Sequence, residues 1–104
     1  MIIVTGSILA KAGCEERLLA ASQAHVARSR KEAGCISHAV HRDVENPRRL
    51  VFLEEWSDRA ALIAHFAVPG SREFVKAAGE LAEGVPQLKI YEAQEIQMLA
   101  GSKS

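Results

Sequence analysis

The 104-residue chain is short of most features that commit a sequence to a specialised class. Its two cysteines, Cys14 and Cys35, form no CxxC pair and have no histidine beside them at ligand spacing. That excludes a disulfide framework and a cysteine-built zinc site, and it reads as two free thiols in a reducing cytoplasm. Neither sign of charge is in excess, since 13 basic residues offset 13 acidic ones for a formal net charge of +0. With no Lys/Arg cluster recurring along one face, electrostatics makes no case for nucleic acid or an anionic membrane as a partner. No apolar run approaches the roughly 20 residues of a membrane-spanning helix. The opening MIIVTGSILA also has no basic leader ahead of its short apolar segment, so a soluble, unexported, cytoplasmic protein is expected. Missing too are GxGxxG, the P-loop, the GxSxG elbow and HExxH, and the four histidines have no tight metal-binding spacing along the chain. These absences leave chemistry without a metal or cofactor, or simple binding.

What is present suffices for one core. A hydrophobic content of 48% in a chain of this size supports a single domain that buries roughly two-thirds of its unfolded surface. Ile2 to Leu9 is β-branched and apolar and reads as a buried strand. Within it Gly6 removes a side chain, which marks a bulge or leaves room for a ligand. From Glu15 to Ala33 the residues Leu18, Leu19, Ser22, His25, Val26 and Ser29 recur at helical spacing, and Gly34 is suited to end that helix. Cys35 to Asp43 alternates, with Ile36, His38 and Val40 on one face and Cys35, Ser37, Ala39 and His41 on the other. A turn at Glu45-Asn46-Pro47-Arg48 joins it to an antiparallel strand from Leu50 to Trp56. Ser57 or Asp58 caps a helix reaching Ala67. Pro69-Gly70 breaks that helix, and a further one from Ser71 to Glu83 turns Phe74, Val75, Ala78 and Leu81 inward. Leu88 to Ile96 gives a last strand.

This order predicts an α+β fold, the ferredoxin-like β-α-β-β-α-β arrangement on one antiparallel sheet, as a single domain over residues 1–96. Residues 97–104 read as a flexible tail. One sheet face packs the helices. The other carries Ile3, Leu9, Val51 and Leu53, too much apolar surface for a monomer, so a symmetric homodimer is expected.

Gly34-Cys35-Ile36, His41-Arg42-Asp43, Glu54-Glu55-Trp56-Ser57-Asp58, Ala64-His65-Phe66 and Val68-Pro69 occur in an order and spacing that resembles the antibiotic biosynthesis monooxygenase domain family, which includes small quinol monooxygenases. The resemblance covers roughly Ile2 to Glu92. It implies a dimeric α+β barrel with a pocket between helices and sheet in each subunit, and oxidation of phenols or quinols by O₂ with no metal or flavin. His65 matches a family histidine. Heme-degrading relatives carry an asparagine where this chain has Gly6 and a heme-ligating histidine where it has Val75, so heme cleavage is disfavoured. Many quinol-oxidising members carry a histidine-aromatic pair where this chain has Gly70-Ser71.

Oxidation of this kind needs a group to deprotonate a phenol and a wall to hold its ring, and a neutral imidazole suits the proton transfer near pH 7. His65 follows the apolar positions Ala61 and Leu62, and is read either as a base facing the pocket or as a half-buried cap on the last helix carbonyls. His38, on the helix-packed face, is a second base or hydrogen-bond donor, or else a satisfied core histidine. His25 and His41 are assigned to solvent or dimer contact. Phe52, Glu54 and Trp56 share one strand face. Glu54 there either orients a histidine, carries a pKa raised by desolvation, or pairs with Arg42 across the hairpin. Trp56, Phe66 and Phe74 hold a ring or simply pack.

The reading is a cofactor-independent monooxygenase acting on a small phenol, hydroquinone or polyketide-like aromatic. His65, His38 and Glu54 are the catalytic candidates, and Trp56, Phe52, Phe66, Phe74 and Gly6 the substrate contacts. The alternatives are a non-catalytic dimeric module binding a small hydrophobic metabolite, and an isomerase on the same scaffold.

Overall fold

In the computed structural model, which describes residues 1–98, β1 (Ile2–Leu9), α1 (Glu15–Ser29), β2 (Cys35–Arg42), β3 (Arg49–Trp56), α2 (Arg59–Ala67), α3 (Pro69–Leu81) and β4 (Gln87–Glu92) follow in that order. The strands form one antiparallel sheet in the order β2-β3-β1-β4. This is the ferredoxin-like arrangement expected from the pattern. Alternation sends Ile2, Val4, Gly6 and Ile8 of β1, and Leu50, Phe52, Glu54 and Trp56 of β3, to the helix side, where all but Gly6 are buried.

The core divides into two groups. Ile8, Leu18, Val26, Leu50, Phe52 and Ala78 knit α1 and α3 to the sheet. Ile2, Val4, Trp56 and Leu62 seat α2 at the other end. Truncating a fully buried member such as Leu18 or Leu50 to alanine costs about 2–5 kcal/mol in cores of this kind. The buried hydroxyls on α1 are satisfied within the helix, Ser22 Oγ donating to the Leu18 carbonyl and Ser29 Oγ to that of His25, each at 2.7 Å.

The structure corrects several sequence expectations. Helix α1 stops at Ser29 rather than Ala33, because the chain tightens into turns in which Lys31 N–H bonds the Arg28 carbonyl and Glu32 N–H that of Ser29. Gly34 then lies at φ +83°, and any Cβ there would stand 2.5 Å from Ala61 Cβ and 2.8 Å from Ser57 Oγ, so the turn between α1 and β2 packs against the start of α2 only with glycine here. A bulge between Cys35 and Ser37 breaks the alternation of β2. It turns Ile36 outward, 55% exposed, and packs Cys35 against the core instead. The helix break falls where expected, but Pro69 itself begins α3, ahead of the expected Ser71, since the first helical position needs no N–H. The inward stripe of α3 is Ser71, Phe74, Ala78 and Leu81, while Val75 is 69% exposed. Strand β4 ends at Glu92, short of Ile96. Of the expected tail, Gln97 and Met98 have no regular structure and residues 99–104 lie outside the described residues. No described helix is long and apolar enough to cross a membrane.

Candidate functional site

Between the helices and the β1–β3 face lies a cavity of about 180 Å³. That is close to the roughly 150 Å³ that admits a benzene ring in an engineered core. Its apolar wall includes Phe52, Phe66, Phe74 and Leu88, and Gly6 contributes open space. A Cβ on Gly6 would press on the Gln87 carbonyl at 3.2 Å, so the missing side chain widens the cavity floor. His25, Glu54, His65 and Ser71 are its polar lining. A larger, shallower depression of about 670 Å³ lies around Met1, Arg59 and Glu92. It offers an exposed ion pair, Arg59 with Glu92, rather than buried acid–base groups.

Three imidazoles converge at the inner end of the cavity from three different elements. His25 comes from α1, His38 from β2 and His65 from α2, and all three are buried. Their ring centroids are 5.2–5.6 Å apart. One ring nitrogen of each lies within 4.8 Å of a ring nitrogen of the other two. By distance alone the trio could take a divalent cation, and spacing along the chain gave no sign of it.

The surroundings of the three rings differ. Asp58 caps α2 by accepting the Ala61 N–H at 2.8 Å, and this helix carries His65 inward. His65 Nδ1 lies 2.8 Å from Glu32 Oε1, with Ser71 Oγ at 3.5 Å from the same nitrogen. A carboxylate accepts and cannot donate, so the proton sits on Nδ1 and the lone pair on Nε2. His65 is therefore neither a helix cap nor paired with Glu54. Glu32 had no signal in the sequence, because it sits in the turn created by the early end of α1, where helical periodicity says nothing.

Glu54 stands behind His65. Its Oε1 accepts the Trp56 indole N–H at 2.9 Å and lies 3.3 Å from His38 Nε2. Burial alone would raise this carboxyl, but His38, the indole N–H and the nearby His65 outweigh it and hold Glu54 below the usual carboxylate range. The sequence alternatives of a raised pKa or an Arg42 partner are thus both replaced, and Arg42 pairs with Glu16 instead. The His38–Glu54 contact is not aligned as a hydrogen bond, and neither nitrogen of His38 has a hydrogen-bond partner among the described residues.

Trp56 is fully buried and, like His38, stands behind the cavity lining rather than in it. Phe52, Phe66, Phe74, Gly6, Glu54 and His65 do line it. His25, assigned from sequence to solvent or dimer contact, is a lining residue stacked on Phe74 at 4.3 Å. It belongs to the same stripe as Leu18, Ser22, Val26 and Ser29, a position that favoured burial from the start. His41 is exposed, as expected.

The profile of a family described as antibiotic biosynthesis monooxygenase matches residues 1–77. An uncharacterized protein of Synechocystis sp. is 38% identical over 98 residues, covering 94% of this chain and 67% of that protein. Among solved structures, a Deinococcus radiodurans protein named for the same family superposes with a TM-score of 0.89 at 26% identity, covering 95% of this chain and 98% of that one. A protein of Shewanella oneidensis is similar at 32% identity and a TM-score of 0.82, covering 86% and 87%.

Proposed function

Since the chain belongs to the antibiotic biosynthesis monooxygenase family, we propose that it oxidises a small phenol or hydroquinone with O₂ in the cavity beneath α2 and α3, without a resident metal or flavin, as the family resemblance implies. One observation carries the reading. A buried imidazole, His65, held through Nδ1 by Glu32 at 2.8 Å, lines an apolar cavity the size of a single aromatic ring.

In this scheme the ring lies against Phe52 and Phe74, and its hydroxyl proton passes to His65 Nε2. The resulting phenolate gives up electrons more readily than the phenol. One atom of O₂ bonds to a ring carbon and the other leaves as water. Two electrons come from the C–H bond converted to C–O and two from the quinol as it becomes a quinone, so no external reductant is consumed. Glu32 orients the base and offsets the imidazolium charge. His38, Glu54 and Trp56 form a supporting layer behind it.

Oxygen uptake with a panel of hydroquinones tests the scheme. His65→Ala is expected to lower kcat by about 10²–10⁴-fold, the usual worth of a general base. Equal rates in the two proteins remove His65 from the mechanism. Gly70-Ser71, in place of the family's histidine-aromatic pair, favours a second reading as a binding module for a small hydrophobic metabolite. Tight binding without oxygen uptake would establish it, and a product of unchanged mass would instead point to an isomerase. The apolar outer face of the sheet supports a homodimer, and the two unpaired cysteines suit a cytoplasmic setting.

A further inference from the structure

His25 has no role in the scheme above, yet its surroundings define its chemistry closely. Its ring stacks on Phe74 with the planes only 7° apart, which sets its orientation. Arg28, three residues further along α1, brings Nη2 to 3.2 Å from His25 Nδ1 and to 2.8 Å from the Gly70 carbonyl. A guanidinium only donates. Nδ1 must therefore hold the lone pair, and the proton of the neutral ring resides on Nε2. Burial, followed by the neighbouring His38 and His65 and then Arg28, lowers the His25 pKa to about 3. The ring accordingly stays neutral near pH 7 and keeps that single N–H.

Gly70 is what admits the guanidinium. A Cβ there would collide with Nε and Cζ of Arg28. Gly70, one of the two positions that depart from the quinol-oxidising pattern, is thus what lets Arg28 determine the tautomer of His25.

His65 has the opposite arrangement, with its proton on Nδ1 facing Glu32 and its lone pair on Nε2. One ring donates and the other accepts; their centroids are 5.2 Å apart, and one nitrogen of each lies within 4.8 Å of one of the other's. Two hydrogen bonds of about 2.8 Å meeting at one oxygen can span up to about 5.6 Å. A single hydroxyl oxygen can therefore engage both rings. A divalent cation at the same three histidines would need a lone pair from each, and that of His25 is turned to Arg28.

We propose that His25 and His65 clamp one hydroxyl oxygen of an aromatic ligand, His25 Nε2–H donating to the oxygen whose proton passes to His65, so that the site selects phenols bound as phenolates. The O–H bond breaks, the proton moves to His65 Nε2, and the electron pair stays on oxygen, stabilised by the His25 N–H where the charge develops. The clamp rests on His65 acting as the base in the proposed function.

Binding of 4-nitrophenol to the full chain, followed by the visible band of its phenolate on the acid side of the free phenol's own pKa, tests this. Wild type is expected to bind it as the phenolate. His25→Phe and Gly70→Ala should each weaken that binding by roughly 10–100-fold, the worth of a hydrogen bond to a charged group, while nitrobenzene, which lacks the hydroxyl, binds as before. Gly70→Ala displaces only the end of a flexible side chain, so it reports on the clamp even if His25→Phe fails to fold. Nitrogen NMR of the histidines should find His25 protonated on Nε2 in wild type and lose that preference in Gly70→Ala. A wild-type His25 protonated on Nδ1, undiminished phenolate binding in both variants, or a stoichiometric divalent metal carried through purification of untagged protein would each overturn the proposal. Phenolate binding that depends on His25 in a protein consuming no oxygen leaves the clamp standing and removes the oxygenase. Oxygen uptake unaltered by His25→Phe does the reverse.

Discussion

Glu32 is the residue on which the proposed base depends, although it lies 33 positions from His65 in the chain. Replacing it with glutamine keeps the shape but removes the charge beside His65 Nδ1. Glu32→Gln is expected to lower kcat by about 10–100-fold, the worth of a charge-assisted hydrogen bond, with little change in KM, and Glu32→Asp should restore part of the loss. Steady-state oxygen uptake separates the two parameters. His25 makes a different prediction, about stability. Its pKa is lowered from 6.5 to about 3 in the folded chain, so below pH 6.5 the unfolded chain takes up a proton that the folded chain refuses. Stability therefore falls as pH drops from about 6.5 towards 3, by up to a few kcal/mol. Glu54, whose pKa is also lowered, loses its stabilising contribution as pH falls from 4.5 through its folded value, adding to the acid sensitivity. Urea unfolding at a series of pH values should give a shallower slope over the upper part of this range in His25→Phe than in wild type.

At the level of elements, the helices and strands were mostly legible because their signals are local. β-Branched, apolar content located β1, alternation located β2 and β4, and Asp58 at the cap of α2 behaves as its side-chain chemistry requires. Asp58→Ala should cost about 1 kcal/mol by removing the acceptor for the Ala61 N–H, measured as a lower urea midpoint with unchanged slope. The illegible features are those imposed by neighbours. The bulge at Ile36 exchanges its place with Cys35 because β2 must align with β3 while leaving the turn at Gly34 that abuts Ser57. Periodicity assigned Val75 inward for lack of one fact, the direction from which α1 and the sheet approach α3.

For the whole molecule, the proposed dimer rests on the outer sheet face. Ile3, Leu9 and Val51 are half-buried there, while Leu53 is 47% exposed, with Tyr91 across from Ile3 on the neighbouring strand. A second copy covering this face is the proposed dimer. Sedimentation equilibrium should find a dimer for wild type and a folded monomer for Leu53→Lys, whose charge would otherwise be buried unpaired. A wild-type monomer would remove the assembly from the proposal.

The order of elements, the cap of α2 and the shared face of Phe52, Glu54 and Trp56 follow from the amino-acid sequence alone, because each depends on propensity or periodicity over a few neighbouring residues. Whether His25, His38 and His65 would meet, and that Glu32 and Arg28 would assign opposite tautomers to two of them, was decided only by tertiary packing. Those relations join residues up to 40 positions apart, and their distances are set by how α1, α2 and α3 settle on the sheet.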